Sequence, residues 1–188
     1  MSILTKEQFL KQKGAYLKKI KKGAVFIYPT DTVYGIGCSA LITSAVKRIR
    51  AIKQRSTTPF SVAAPSKKWI LENCVVHDKK ILAKLPGKYT LVLPLKNKKA
   101  VSREVAKGHS SLGVRIPDNW FSKIIAELGV PIVTTSANIH GQPNMKSLND
   151  LNGAVKESVD FIVYEGKKAG RPSTIIDLTS GTLRVRKR

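Results

Sequence analysis

Thr134, Thr135, Ser136 and Asn138 place four hydroxyl or amide side chains within five residues, directly after the apolar pair Ile132 and Val133. Gly141 and Pro143 then break the chain, so the stretch 131–143 predicts a buried strand running out into a polar loop. An ordinary Ser/Thr/Asn turn would look the same in isolation. The transition recurs, however, after the strand predicted over 24–28. There Thr30, Asp31, Thr32 and Tyr34 cluster, and Gly35 and Gly37 would let backbone come close to a ligand. Lys53 and Arg55 supply the cations, at the end of a helix predicted over 44–55 with Val46, Ile49 and Ile52 facing inward. Residues two apart do not share a helix face, so if both serve one ligand the helix must have unwound at Arg55. A mobile ammonium beside a guanidinium fork suits a polyphosphate or a carboxylate. A favourable interaction with the helix dipole is the alternative account. Arg115, inside the apolar strand predicted over 111–117, needs an anionic partner. A ligand carboxylate would serve, and so would Asp118 or another acid.

This inventory of hydroxyls, amides and cations holds phosphates and a carboxylate better than it moves protons. Catalysis would then rest on positioning and charge neutralisation, as in phosphoryl or nucleotidyl transfer. There is no GxxxxGK[ST] loop, no Gly-x-Ser-x-Gly elbow and no metal-ligand spacing, and Gly35-Ile36-Gly37 is too short for a dinucleotide fingerprint. Ser136 has no evident base. His77, His109 and His140 are isolated, polar-flanked and read as surface residues. With few acidic ligands, any Mg²⁺ would travel on the phosphates of a nucleotide.

The elements that must position these groups alternate between helix and strand. An amphipathic helix over 5–22, opened by a Thr5/Gln8 capping box, carries Phe9, Leu10, Tyr16, Leu17 and Ile20 on one stripe. Its other face bears seven lysines, a landing strip for RNA backbone or simply a solvated face. Strands follow over 60–64, 89–95, 111–117, 160–164 and 175–178, with helices over 66–73, 78–85, 147–157 and, capped by Asn119, up to Leu128. A basic loop over 96–108 reads as exposed, and Thr182 to Arg186 as a closing hairpin strand before a basic tail, Lys187 and Arg188. No composition shift marks a second domain, so residues 1–188 read as one domain. Lys+Arg of 34 against Asp+Glu of 12 gives a net charge of +22, which attracts polyanions, nucleic acid first among them. No run approaches the ~18 apolar residues of a membrane helix, and the N-terminus lacks an apolar signal core. Cys38 and Cys74 read as free thiols of a reducing cytoplasm.

The series Tyr28 to Gly35, Lys53-Gln54-Arg55, Pro86-Gly87 with Thr90, Ser111 to Arg115, Ser136-Ala137-Asn138 with Gly141, and Pro172-Ser173-Thr174 resembles the YrdC/TsaC family in content and order. These are the L-threonylcarbamoyladenylate synthases of tRNA modification, in their short single-domain form. The resemblance implies an α/β fold, a twisted, open, mixed sheet with flanking helices and a large basic cleft. It implies nucleotidyl transfer in which L-threonine, bicarbonate and ATP become threonylcarbamoyl-AMP and pyrophosphate, with no organic cofactor and Mg²⁺ carried with ATP. Position by position, it implies catalytic roles for Lys53 and Arg55 and nucleotide contacts from those two with Ser111, Ser136, Asn138 and Arg184. It implies a threonine pocket of Thr32, Tyr34, Arg115, Thr134 and Ser173, with Arg115 on the carboxylate. The implied partners are tRNA, through the basic surface, and transferase proteins of the TsaD, TsaB and TsaE type, in the cytoplasm. Three positions depart from the family: Phe60 where Leu is commoner, Asp31 for the usual Glu, and Ala63 where longer relatives place a histidine. A non-catalytic RNA-binding protein and a carbamoyl-transfer maturation factor are the rival readings.

Overall fold

Phe26, Ile27 and Tyr28 are all buried, yet they face opposite sides of one sheet. Phe26 and Tyr28 pack with Phe9, Tyr16, Ile20 and Phe121, whereas Ile27 packs with Val46, Ile49, Val62 and Val133. A strand covered on both faces has no use for polar alternation, which is why the segment reads as a continuous apolar run. The computed structural model describes residues 1–180 and 183–187. Its strands are β1 (Ser2–Leu4), β2 (Phe26–Tyr28), β3 (Gly35–Gly37), β4 (Ser61–Ala63), β5 (Tyr89–Pro94), β6 (Ser111–Arg115), β7 (Ile132–Ser136), β8 (Phe161–Val163), β9 (Thr174–Asp177) and β10 (Arg184–Arg186). Among the described residues they form one sheet in the order β1-β8-β2-β3-β7-β4-β6-β5-β9-β10. Pairs β1/β8, β8/β2, β4/β6 and β5/β9 are parallel and the rest antiparallel, so the sheet is mixed, as expected.

The helices are α1 (Lys6–Lys11), α2 (Lys13–Lys21), α3 (Thr43–Lys53), α4 (Lys67–Asn73), α5 (Arg103–Ala106), α6 (Phe121–Leu128) and α7 (Gly153–Glu157). Residues of α1, α2 and α6 build the aromatic cluster on one face, where the Phe26 and Phe161 rings stack with centroids 5.0 Å apart. Residues of α3 and α7 pack into the larger core on the other. The Thr5/Gln8 capping box is present, with Gln8 N donating to Thr5 Oγ1 at 3.2 Å and Thr5 N to Gln8 Oε1 at 2.9 Å.

Several expectations are corrected. The first helix is broken at Gln12 (φ −109°) into α1 and α2, and this turns Leu10 out to solvent while Phe9, Tyr16 and Ile20 stay buried. Asn119 does not cap α6; its amide instead donates to the Pro29 carbonyl at 2.8 Å, tying the start of α6 to the loop after β2. The segment 96–108 is not simply exposed. It holds α5, and Val101 and Val105 enter the core. The segment 78–85 forms a 3₁₀ turn (Lys79–Lys84), and 147–157 divides into a 3₁₀ turn (Leu148–Asp150) and α7. Gly35 and Gly37 lie in β3, paired to β2, where a side chain on Gly37 would come within 2.8 Å of the Tyr28 ring. Packing inside the hairpin therefore accounts for Gly37. Of the closing hairpin and tail, Thr182 and Arg188 lie outside the described residues.

Candidate functional site

The polar alternates of the central strands share one face. Thr134 of β7, Ser61 of β4, Gly113 of β6 and Val92 of β5 are successive register partners, and one strand on, Thr90 of β5 faces Ile175 of β9. They floor a cleft of about 490 Å³. Thr134 to Ser136 thus belong to a strand and not to the loop after it, and the cleft lies across the sheet as well as at strand ends. Their opposite alternates, Val62, Leu91, Val114 and Val133, face the core beneath. A side chain on Gly113 would come within 2.5 Å of the Ser61 hydroxyl, so glycine keeps this part of the floor low.

At one end α3 delivers Lys53. The helix stops there, Gln54 takes a left-handed conformation (φ 49°), and Arg55 leaves in another direction, as the two-residue spacing required. Lys53 is 2% exposed. Its ammonium donates to the Ser136 carbonyl at 2.8 Å, to the Asn138 carbonyl at 2.7 Å and to the Asn138 side-chain oxygen. Ser136 Oγ donates to that same Asn138 oxygen at 2.7 Å, and His140 N donates to the Lys53 carbonyl at 3.1 Å. Lys53 therefore stitches the turn after β7 to the end of α3. Burial pushes its ammonium down to about 8, and the Arg55 cation adds to the effect. The Arg55 guanidinium donates to the Pro59 carbonyl at 2.8 Å and lies 5.3 Å from the Phe60 ring.

At the other end Arg115, buried on β6, pairs with Asp31 at 2.5 Å and reaches Thr32 Oγ1 at 3.4 Å. Asp31 is thus the anionic partner that this guanidinium required, and its second oxygen accepts from Asp118 N at 2.9 Å. Burial lowers the Arg115 pKa and the Asp31 carboxylate opposes that shift. Thr30 and Thr32 hydroxyls lie 3.0 Å apart, and those of Thr90 and Ser173 2.7 Å apart. A strap over 164–173 crosses this end. A methyl group on Gly170 would lie 2.1 Å from the Thr32 carbonyl oxygen, so the strap runs directly against that backbone. Tyr34 lines the cleft, but its hydroxyl serves the strap, donating to the Gly166 carbonyl at 2.7 Å and accepting from Glu165 N at 3.0 Å.

The structure brings together ten residues singled out from the sequence: Thr32, Tyr34, Lys53, Arg55, Ser111, Arg115, Thr134, Ser136, Asn138 and Ser173 all line the one cleft. Arg184 does not line it. It sits opposite Asp177 on β10, and the cation on the wall is Arg186, opposite Ile175 one alternate further along the same strand. Thr30, singled out with the polar cluster after β2, lines the cleft too; sequence reasoning missed Arg186, Ser61 and Asn144, which also line it, and took His140 for an ordinary surface residue, although it stands at the mouth. It also missed Arg50, which is 7% exposed. Cys38 and Cys74 are buried free thiols, and burial pushes both up, Cys74 to about 11, away from nucleophilic use. Among the described residues no cluster of His, Cys, Asp or Glu could hold a metal, and no helix is long and apolar enough to cross a membrane.

A mixed sheet with a cationic, hydroxyl-lined cleft across it defines a class of α/β domains built to hold anionic ligands. The Sua5/YciO/YrdC family model, described as Telomere recombination, matches residues 18–188, and the chain belongs to that family. A relative from Methanocaldococcus jannaschii is 40% identical over 167 residues, covering 86% of this chain and 77% of its own. The threonylcarbamoyl-AMP synthase of Chromohalobacter salexigens is 32% identical over 175 residues, 88% of this chain and 92% of its own. Pyrococcus abyssi Sua5, solved in complex with L-threonine, superposes with a TM-score of 0.84 at 30% identity, over 98% of this chain and 56% of its own length. The chain thus spans little more than half of that relative.

Proposed function

We propose that this chain is an L-threonylcarbamoyladenylate synthase. Threonine's amine captures bicarbonate carbon as a carbamate with loss of water. A carbamate oxygen then attacks the α-phosphorus of ATP, the bond to the β-phosphate oxygen breaks, and pyrophosphate leaves. Arg115 holds the threonine carboxylate, with Thr32, Thr134 and Ser173 around the rest of the amino acid and Tyr34 setting the strap above it. Ser111, Ser136, Asn138 and Arg186 contact the nucleotide. Arg55 supplies a fork to the phosphates, and Lys53 fixes the Ser136–Asn138 turn and adds a buried positive charge where negative charge builds on the phosphates. Mg²⁺ arrives on the ATP phosphates. Asp31, at the threonine end, has both oxygens engaged by Arg115 and Asp118 N.

The observation that carries this reading is one cleft lined by both the Lys53–Asn138 constellation and the Arg115 pocket. The synthase name of the relatives and the threonine bound by the Pyrococcus abyssi protein agree with it. Incubation with MgATP, bicarbonate and labelled threonine should yield a threonine-bearing AMP adduct and equimolar pyrophosphate. Pyrophosphate release that ignores threonine, or no adduct, would overturn the assignment. The product is a labile mixed anhydride, so a second enzyme must consume it. We assign that transfer to the adenosine next to the anticodon of ANN-decoding tRNAs, carried out by TsaD-, TsaB- and TsaE-type partners in the cytoplasm. The tRNA would dock on the basic surface that gives the chain its +22 charge.

A further inference from the structure

Arg50 is a buried cation with no place on the cleft wall, and its guanidinium is spent on backbone. Nη1 donates to the carbonyls of Arg55 at 3.0 Å, Ser56 at 3.3 Å and Thr58 at 3.1 Å. Nε and Nη2 donate to the Glu104 carbonyl at 2.9 and 2.5 Å, and Nη2 lies 3.5 Å from the Val105 carbonyl. The Glu104 carboxylate stands 3.5 Å from Nε, and the Phe60 ring lies 4.5 Å from the guanidinium carbon. Five N–H groups in a rigid fork are thus divided between two chain segments. One is α5. The other, 55–59, is irregular backbone that carries Arg55, Thr58 and Pro59 to the cleft.

We propose that Arg50 is the positioning residue of the nucleotide end. By gathering three carbonyls of the Arg55–Thr58 segment and anchoring them to α5, it sets the direction in which Arg55 enters the cleft. Phe60 N, which donates to the Val105 carbonyl at 2.9 Å, makes a second tie to the same anchor. The amino-acid end stands apart. Arg115, Thr32, Thr134 and Ser173 are carried by β6, the loop after β2, β7 and the strap, whereas the guanidinium of Arg50 is engaged by residues 55–60 and 104–105. The two halves of the cleft should therefore respond differently to its loss. The naming of the two ends rests on the function proposed above.

The test compares Arg50→Lys, Arg50→Met and Arg50→Ala with the unaltered chain. It measures calorimetric binding of L-threonine and of a non-hydrolysable ATP analogue, with KM for ATP. Lysine keeps the charge but cannot span two segments. The expected result is nucleotide affinity lowered about ten- to hundredfold in Arg50→Lys, as for a displaced binding group, with threonine affinity within about twofold. Millimolar guanidinium should partly restore Arg50→Ala. Should Arg50→Met fail to fold, Arg50→Lys, checked by thermal melt at the assay temperature, decides alone. Unchanged nucleotide affinity in folded Arg50→Lys, or parallel loss of both ligands, overturns the proposal. Failure of the synthase reading would appear separately, as an unaltered chain that makes no adduct.

Discussion

Raising the pH through 8 should remove the buried positive charge from the nucleotide end of the cleft. Burial and the neighbouring Arg55 hold the Lys53 ammonium at about 8. The ATP phosphates are already fully ionised there, so their own titration does not interfere. If the nucleotide binds only the protonated form, its affinity approaches a tenfold fall per pH unit above that value, about sixteenfold between pH 8 and pH 9.5. Bound phosphates favour the ammonium, so binding at pH 9 should take up about 0.9 proton per nucleotide. Calorimetry with a non-hydrolysable ATP analogue, in buffers of different ionisation enthalpy, reads both quantities. Lys53→Met should bind weakly and without pH dependence over the same range. Flat affinity from pH 7 to 9.5 with no proton uptake in the unaltered chain would refute the reasoning.

The same shift has a stability side with a definite sign. The folded value of about 8 lies below the reference of 10.5, so between the two the unfolded chain binds more protons and stability rises with pH. Below pH 8 the folded chain carries the full cost of burying the charge, roughly 3 kcal/mol for a shift of this size. Other lysines titrate nearby, so the useful quantity is the unfolding free energy of the unaltered chain minus that of Lys53→Met. That difference should climb from pH 8 to pH 10.5. A falling difference would mean that the Ser136 and Asn138 oxygens hold the ammonium more strongly than burial opposes it.

Four further outcomes follow from single contacts. Asp31→Asn leaves the Arg115 charge buried and unpaired, which should cost about 3–5 kcal/mol in urea unfolding and weaken threonine binding. Gly170→Ala forces the strap off the Thr32 carbonyl and should lower threonine affinity about tenfold in calorimetry, with nucleotide affinity kept, as for a binding group moved by an ångström or so. Arg186→Ala should raise the KM for ATP while Arg184→Ala leaves it unchanged, since Arg186 lines the cleft and Arg184 does not. Thr5→Ala removes the α1 capping box and should cost about 1 kcal/mol in thermal unfolding without altering adduct formation.

Much of this was legible because polar side chains stood where an apolar alternation would otherwise continue. Thr134 and Ser136 on β7, and Arg115 on β6, could be picked out against their buried neighbours. The C-terminal hairpin was not legible at the same resolution. Arg184 and Arg186 share a strand face, and which of them meets the cleft depends on β10 pairing Arg184 with Asp177, a register that short polar strands do not advertise. Arg50 was hidden for a different reason. Its acceptors are main-chain carbonyls from 54 residues away as well as from the adjacent loop, and backbone acceptors leave no trace in residue type. The short strands β1 and β3 and the four-residue α5 escaped because three or four residues carry too little periodicity to separate from a loop.

Three cations, Arg50, Lys53 and Arg115, are buried in a chain that already carries +22, and they are neutralised unequally. Arg115 has a full carboxylate at 2.5 Å. Arg50 has the Glu104 carboxylate at 3.5 Å, but most of its donors go to carbonyls, and the Lys53 ammonium donates to the neutral oxygens of Ser136 and Asn138. Carbonyl dipoles satisfy hydrogen bonds but cancel only part of a charge, so Lys53 is less fully compensated than Arg115. An anion beside Lys53 would add to that compensation, whereas at the Arg115 end a ligand carboxylate must share the guanidinium with Asp31. Under the proposed function the polyanion goes to the α3 end and the zwitterionic amino acid to the β6 end. That polarity agrees with which buried cation already has an acid beside it.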